Sequence, residues 1–142
     1  MPALSLVFPM FAMVLLTFAV ALVLFRARVR SVREGLVPMS YFATFEGATE
    51  PDFLVKPTRH FADLFEAPIL FYAGCLAAMV TGATGPWAVA LAWSYVAARV
   101  VHAAIHLGSN RIRFRARAYF ASWVFLLALW VYVAIRALTT DS

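Results

Sequence analysis

Four apolar stretches, at about 4–25, 61–81, 87–107 and 119–138, dominate this chain of 142 residues. Each is close to the ~20 residues that an α-helix needs to cross the roughly 30 Å hydrocarbon core of a bilayer. No water in that core can satisfy backbone N–H and C=O groups, so such segments must close their hydrogen bonds internally as helices. The expected architecture is all-α: one four-span membrane domain over residues 1–142, folded as a four-helix bundle. Composition agrees, with 64% of residues hydrophobic and 13% charged, where soluble domains run nearer half and a quarter. The first stretch has no basic residue ahead of it and no small-residue cleavage site before the arginines that follow, so it reads as a retained anchor. Cys75 is the single cysteine; it lies in an apolar run, as an inert buried thiol does.

The connections differ in character. "TGATGP" at 81–86 is a tight turn. "GSNRIRFRAR" at 108–117 joins the third and fourth spans. The connection over 26–60 is long and contains Pro38, Pro51 and Pro57; its "VPMSYFATFEGATEPDF" reads as irregular, with room for a short interfacial helix. The net charge of +5 sorts by side. Arg26, Arg28, Arg30, Arg33, Lys56 and Arg59 flank the first connection, and Arg111, Arg113, Arg115 and Arg117 occupy the third. The positive-inside rule puts both long connections in the cytoplasm and both termini outside. Such basic runs meet lipid headgroups or close over an anionic ligand; a nucleic-acid partner is not expected.

Charges also enter the spans, where an Asp, Lys or Arg at mid-membrane costs roughly 2.5–3.5 kcal/mol. Arg59, Asp63 and Glu66 fall at i, i+4 and i+7, on one helix face. Arg99, His102 and His106 fall at i, i+3 and i+7 and also share a face. Both faces lie near the cytoplasmic end of their spans, in one layer of the bilayer. One reading is a binding site built from both faces. The other is structural: ion pairs such as Glu66–Arg99 and Asp63–Arg59 that hold the bundle together. A metal site is not expected: His102 and His106 offer two ligands on one helix, but no second matched histidine pair is present and Cys75 is not expected to reach them. Pro68 removes a backbone donor just after Glu66 and should open the helix there.

"RHFADLFEAP" resembles the second-helix signature of the MAPEG family, membrane-associated proteins of eicosanoid and glutathione metabolism: an arginine, Asn or Asp four residues on, Glu three further, then proline. "RVVHAAIHLGSNRIRFR" resembles its third-helix signature, and "FEAPILFYA" the bacterial branch. The resemblance covers essentially the whole chain, including the four-span plan and long first loop. It implies a homotrimer in the bacterial inner membrane that binds glutathione between subunits at the cytoplasmic face. It further implies a glutathione transferase or peroxidase type of activity on a lipophilic small molecule. Arg59, Asp63 and Glu66 would hold the tripeptide, and Arg99, His102 and His106 would complete the pocket. The thiol-activating arginine would be Arg113 or Arg115, and Arg28, Arg30 or Arg33 would supply a further contact. Two positions depart from the pattern: Asp63 stands where many relatives have asparagine, and His106 where they have tyrosine. Two non-enzymatic alternatives are a bundle that binds lipid or a protein partner with its charges purely structural, and a proton-coupled exporter. The off-centre position of the polar layer disfavours the exporter.

Overall fold

The first long helix, α1 (Val7–Arg33), is longer than the hydrocarbon core of a bilayer is thick. Its 27 residues extend about 40 Å at 1.5 Å per residue, against a hydrocarbon core of about 30 Å. The end carrying Arg26, Arg28, Arg30 and Arg33 therefore projects beyond the apolar layer. The computed structural model describes residues 3–140. A 3-10 turn (Ala3–Leu6) leads into α1, and five helices follow: α2 (Tyr41–Thr44), α3 (Asp52–Asp63), α4 (Ala67–Thr81), α5 (Pro86–Leu107) and α6 (Ile112–Thr140). No strand occurs among the described residues. Four helical segments are long and apolar enough to span a membrane: Leu4–Arg33, Asp52–Thr81, Pro86–Leu107 and Ile112–Thr140.

The second of these is interrupted. Pro68 offers no N–H to the carbonyl of Leu64, and its ring crowds that turn. Accordingly α3 ends at Asp63, α4 begins at Ala67, and Glu66 takes φ −100° and ψ −97°. Across the break the backbone tightens into i→i−3 bonds, Phe65 N–H to Ala62 O at 3.0 Å and Glu66 N–H to Asp63 O at 3.2 Å. The opening expected after Glu66 is thus a three-residue interruption ending at that residue.

The long connection is more ordered than its sequence implies. α1 continues through Arg33, and α3 already begins at Asp52, so less than half of 26–60 is irregular. Aromatic side chains hold it. The Arg28 guanidinium lies over the rings of Phe42 and Phe45, at 5.4 and 5.8 Å from their centroids, and Arg30 lies 4.0 Å from that of Phe53. These are cation–π distances. The Tyr41 hydroxyl donates to Glu50 at 3.0 Å. The arginine-rich connection after α5 is likewise mostly helix. α6 starts at Ile112 rather than near 119, because arginine is a good helix former and no Gly or Pro interrupts the run.

The larger of two apolar clusters among the described residues runs through the bundle. Met13 and Val20 of α1, Phe71 and Cys75 of α4, Ala92 and Tyr95 of α5, and Leu129 and Val133 of α6 are all buried in it. Phe71 and Tyr95 stack at 4.4 Å. Gly74 lets α4 approach α6: a Cβ there would sit 3.1 Å from Trp130 Nε1, which donates to Leu70 O at 3.0 Å. Exposed Phe8, Phe11, Phe18 and Phe25 on α1 and Val124 and Leu127 on α6 form outward surfaces suited to lipid.

Candidate functional site

The end of α3 meets the C-terminal half of α5, and the polar faces of both helices meet there. Asp63 is the pivot. Its Oδ2 accepts a hydrogen bond from Arg99 Nη2 at 3.3 Å and lies 3.2 Å from His102 Nε2. The pairing is therefore Asp63 with Arg99, and neither Glu66–Arg99 nor Asp63–Arg59 forms. Among the described residues Arg99 is the largest wholly buried side chain, at 0% exposure, and its Nε and Nη1 have no hydrogen-bond partner there. A guanidinium in such a place is tolerable only beside a compensating charge, and Asp63 supplies it. The Arg99 guanidinium also lies 5.9 Å from the Tyr119 ring centroid. The other nitrogen of His102, Nδ1, lies 3.2 Å from the backbone carbonyl of Arg115, which ties α5 to the start of α6.

Next to this buried knot is a cavity of about 330 Å³. Arg59 and Asp63 of α3, Glu66 of the break, His102 and His106 of α5, and Arg115, Tyr119 and Phe120 of α6 line it. Small-molecule sites run from about 300 to 1,000 Å³, so this one suits a compact ligand. Its charges are sorted. Asp63 is occupied by Arg99 and His102, whereas Arg59 and Glu66 are exposed and make no side-chain hydrogen bond or ion pair among the described residues. Arg115 is steadied by Asn110, whose Oδ1 accepts from Arg115 Nη1 at 2.8 Å. Asn110 reaches it from a left-handed conformation, φ +50°, which asparagine adopts more readily than most residues.

Of the residues singled out in the sequence, Arg59, Asp63, Glu66, His102, His106 and Arg115 share this cavity. Arg99 stands behind it. Arg113 does not line it and is exposed on the first turns of α6. Arg30 lies elsewhere: it pairs with Glu34 at 2.9 Å and lines a separate cleft on α1 with Arg26 and Arg33. The reason is the projecting end of α1, which packs on α3 through Leu24, Ala27 and Leu54 and leaves Arg30 on its outer side.

Two residues join the site without having been picked out. Tyr119 puts a phenol ring 5.5 Å from that of His102; its i+4 spacing from Arg115 is the signal that marks it. His60 is wholly buried, and its Nδ1 faces His106 Nδ1 at 2.9 Å. Adjacent to Arg59, it points about 100° round the helix from the Arg59 face, directly into α5.

Four helical segments long and apolar enough to cross a membrane, with a charged, partly open cavity among them, define an integral membrane protein with a ligand-sized cavity near one end of its bundle. The chain belongs to the MAPEG family, whose sequence model matches residues 6–135 and whose members include glutathione-dependent enzymes. No curated protein and no solved structure matches it.

Proposed function

We propose that this protein is a glutathione-dependent enzyme of the transferase or peroxidase type, acting on lipophilic substrates at the cytoplasmic face of a bacterial inner membrane. The observation that carries the reading is a cavity in which Arg59, Glu66 and Arg115 form no ion pair among the described residues. Glutathione has two carboxylates and one ammonium. Arginines suit the carboxylates and Glu66 the ammonium. Asp63, whose charge would otherwise repel a carboxylate, is already engaged by Arg99 and His102. Arg115 is the better candidate for thiol activation, since Arg113 is outside the cavity; a neighbouring cation favours the thiolate, which is the nucleophile. Tyr119 offers a phenol in the cavity whose family counterpart is expected at the His106 position.

A homotrimer is part of this reading. Ala97 and Ala98 of α5 and Ala118 and Ala121 of α6 line a shallow outer groove, and small residues let membrane helices approach closely. In such a trimer Arg30 of one subunit serves the site of the next. The basic loops orient the cavity towards the cytoplasm.

The test is thermal unfolding of detergent-solubilised protein with and without millimolar glutathione. A ligand at about 100 times its Kd stabilises the native state by roughly 2.7 kcal/mol. The stabilisation should vanish in Glu66→Gln and Arg59→Ala. One observation favours the alternative, a non-catalytic bundle that binds lipid or a protein partner: the Asp63–Arg99 pair accounts for two of the intramembrane charges with no ligand at all. An unshifted melt in wild type would select that reading.

A further inference from the structure

Three buried imidazoles from two helices meet at the inner wall of the cavity. One ring nitrogen each of His60, His102 and His106 lies within 4.8 Å of the others. The ring centroids are 5.0 Å apart for His60–His106, 5.3 Å for His60–His102 and 5.8 Å for His102–His106. A neutral imidazole has one N–H and one lone pair. The facing Nδ1 atoms of His60 and His106 therefore share a single proton, and His60 Nε2 is left buried with no partner. Burying a polar nitrogen unsatisfied is unfavourable, and a hydrophobic side chain would fill the same space without that cost. Packing does not explain why three histidines gather here.

We propose that His60, His102 and His106 form a binding site for one divalent transition-metal ion of the zinc class, each residue giving one imidazole nitrogen. Imidazole is a preferred ligand for zinc and its first-row neighbours. Three protein ligands with a fourth position open are the pattern of reactive rather than structural zinc sites, and here the open side is the cavity that His102 and His106 line. A tetrahedral ion with metal–nitrogen bonds of about 2.0–2.1 Å sets its donor atoms about 3.3 Å apart. The 2.9 Å pair opens slightly as the ion replaces the shared proton. The third nitrogen closes in by ring rotation, which is soft at this torsion. His102 and His106, one turn apart on α5, need no backbone change.

The surroundings fit. Metal-bound histidines donate their second N–H to a carboxylate or carbonyl. His102 has one of each, Asp63 Oδ2 and Arg115 O, so whichever nitrogen turns to the ion, the other keeps an acceptor. Arg99, Arg59 and Arg115 oppose a cation, and Asp63 offsets part of that field. Because the three ligands are neutral, the open position attracts an anion, hydroxide or thiolate. The site does not rest on the glutathione reading, since the ion binds through protein ligands alone.

The test uses the full chain purified with a histidine-free affinity tag from zinc-supplemented culture. Metal content per chain is measured by mass spectrometry, and the chelator-stripped protein is titrated with Co²⁺ while its visible absorption is followed. The expected result is one equivalent of zinc and intense tetrahedral cobalt bands. Losing an orienting partner alone costs roughly 10–100-fold in affinity, so His60→Gln and His106→Gln should each weaken cobalt binding by at least that much. Cys75→Ser should bind like wild type. Folded wild type that retains no zinc and gives no cobalt bands overturns the proposal, whatever the variants do. Wild-type affinity in a folded His60→Gln overturns it equally, because His102 and His106 alone would then explain the binding. Neither result touches the glutathione melt.

Discussion

The wholly buried guanidinium of Arg99 reaches across from α5 to Asp63 at the last turn of α3, 3.3 Å away, its only hydrogen bond among the described residues. Removing one partner of a buried pair strands the other charge, at a cost of about 3–5 kcal/mol when both are deeply buried. Asp63 is 20% exposed at its side chain, so the lower end applies. Asp63→Ala should lower the unfolding free energy by roughly 3 kcal/mol, read from thermal or denaturant melts in detergent. The Asp63→Leu, Arg99→Met double variant should recover most of it.

Glu66 contrasts with Asp63 because it forms no ion pair among the described residues. Glu66→Gln should leave stability within about 0.5 kcal/mol of wild type while abolishing the glutathione-dependent shift of the melt. A large loss of stability in the apo protein would mean that Glu66 serves the bundle and not a ligand.

Arg115 and Arg113 separate the two candidates for thiol activation. With a chlorinated nitroaromatic electrophile and glutathione, Arg115→Ala should reduce kcat/KM by roughly 100-fold or more, and Arg113→Ala should remain close to wild type. Asn110→Ala, which removes the 2.8 Å contact that steadies Arg115, should give an intermediate loss that falls mainly on kcat.

Gly74 tests the α4–α6 contact, remote from the cavity. Its missing side chain leaves room for Trp130, and Gly74→Leu should destabilise the bundle by about 1–3 kcal/mol through overpacking. The melt should fall while any glutathione shift keeps its size.

Much of the site is legible from spacing alone. The i, i+4, i+7 pattern of Arg59, Asp63 and Glu66, and the i, i+3, i+7 pattern of Arg99, His102 and His106, come from helical periodicity alone, and these residues do gather at one cavity, with Arg99 behind it. Which acid pairs with Arg99 is a different kind of question. It depends on the register and crossing of α3 against α5, and periodicity within one helix contains no information about that. The same limit hid His60. Face arithmetic centred on Arg59 turns its neighbour away, yet that away side is where α5 packs. Arg30 enters the site only through resemblance; within one chain it lies 4.0 Å from the centroid of the Phe53 ring, outside the cavity, and spacing along α1 says nothing about a neighbouring subunit. The helical starts at Asp52 and Ile112 were obscured because proline-flanked or arginine-rich sequence looks like loop, although neither Pro51 at a helix N-cap nor alternating arginines obstruct a helix.

The interruption between α3 and α4 makes the second membrane crossing two rods on a joint. Glu66 sits on the joint itself; Arg59 and Asp63 ride on one rod, Phe71 and Cys75 on the other. Bending is cheaper there than in an unbroken helix, since Pro68 has already removed a rung of the hydrogen-bond ladder. Membrane helices adjust their tilt to the thickness of the bilayer around them. A change of tilt taken up at this joint would alter the angle at which Glu66 faces Arg59 across the cavity, so a thinner or thicker bilayer would act on the cavity's shape through the break.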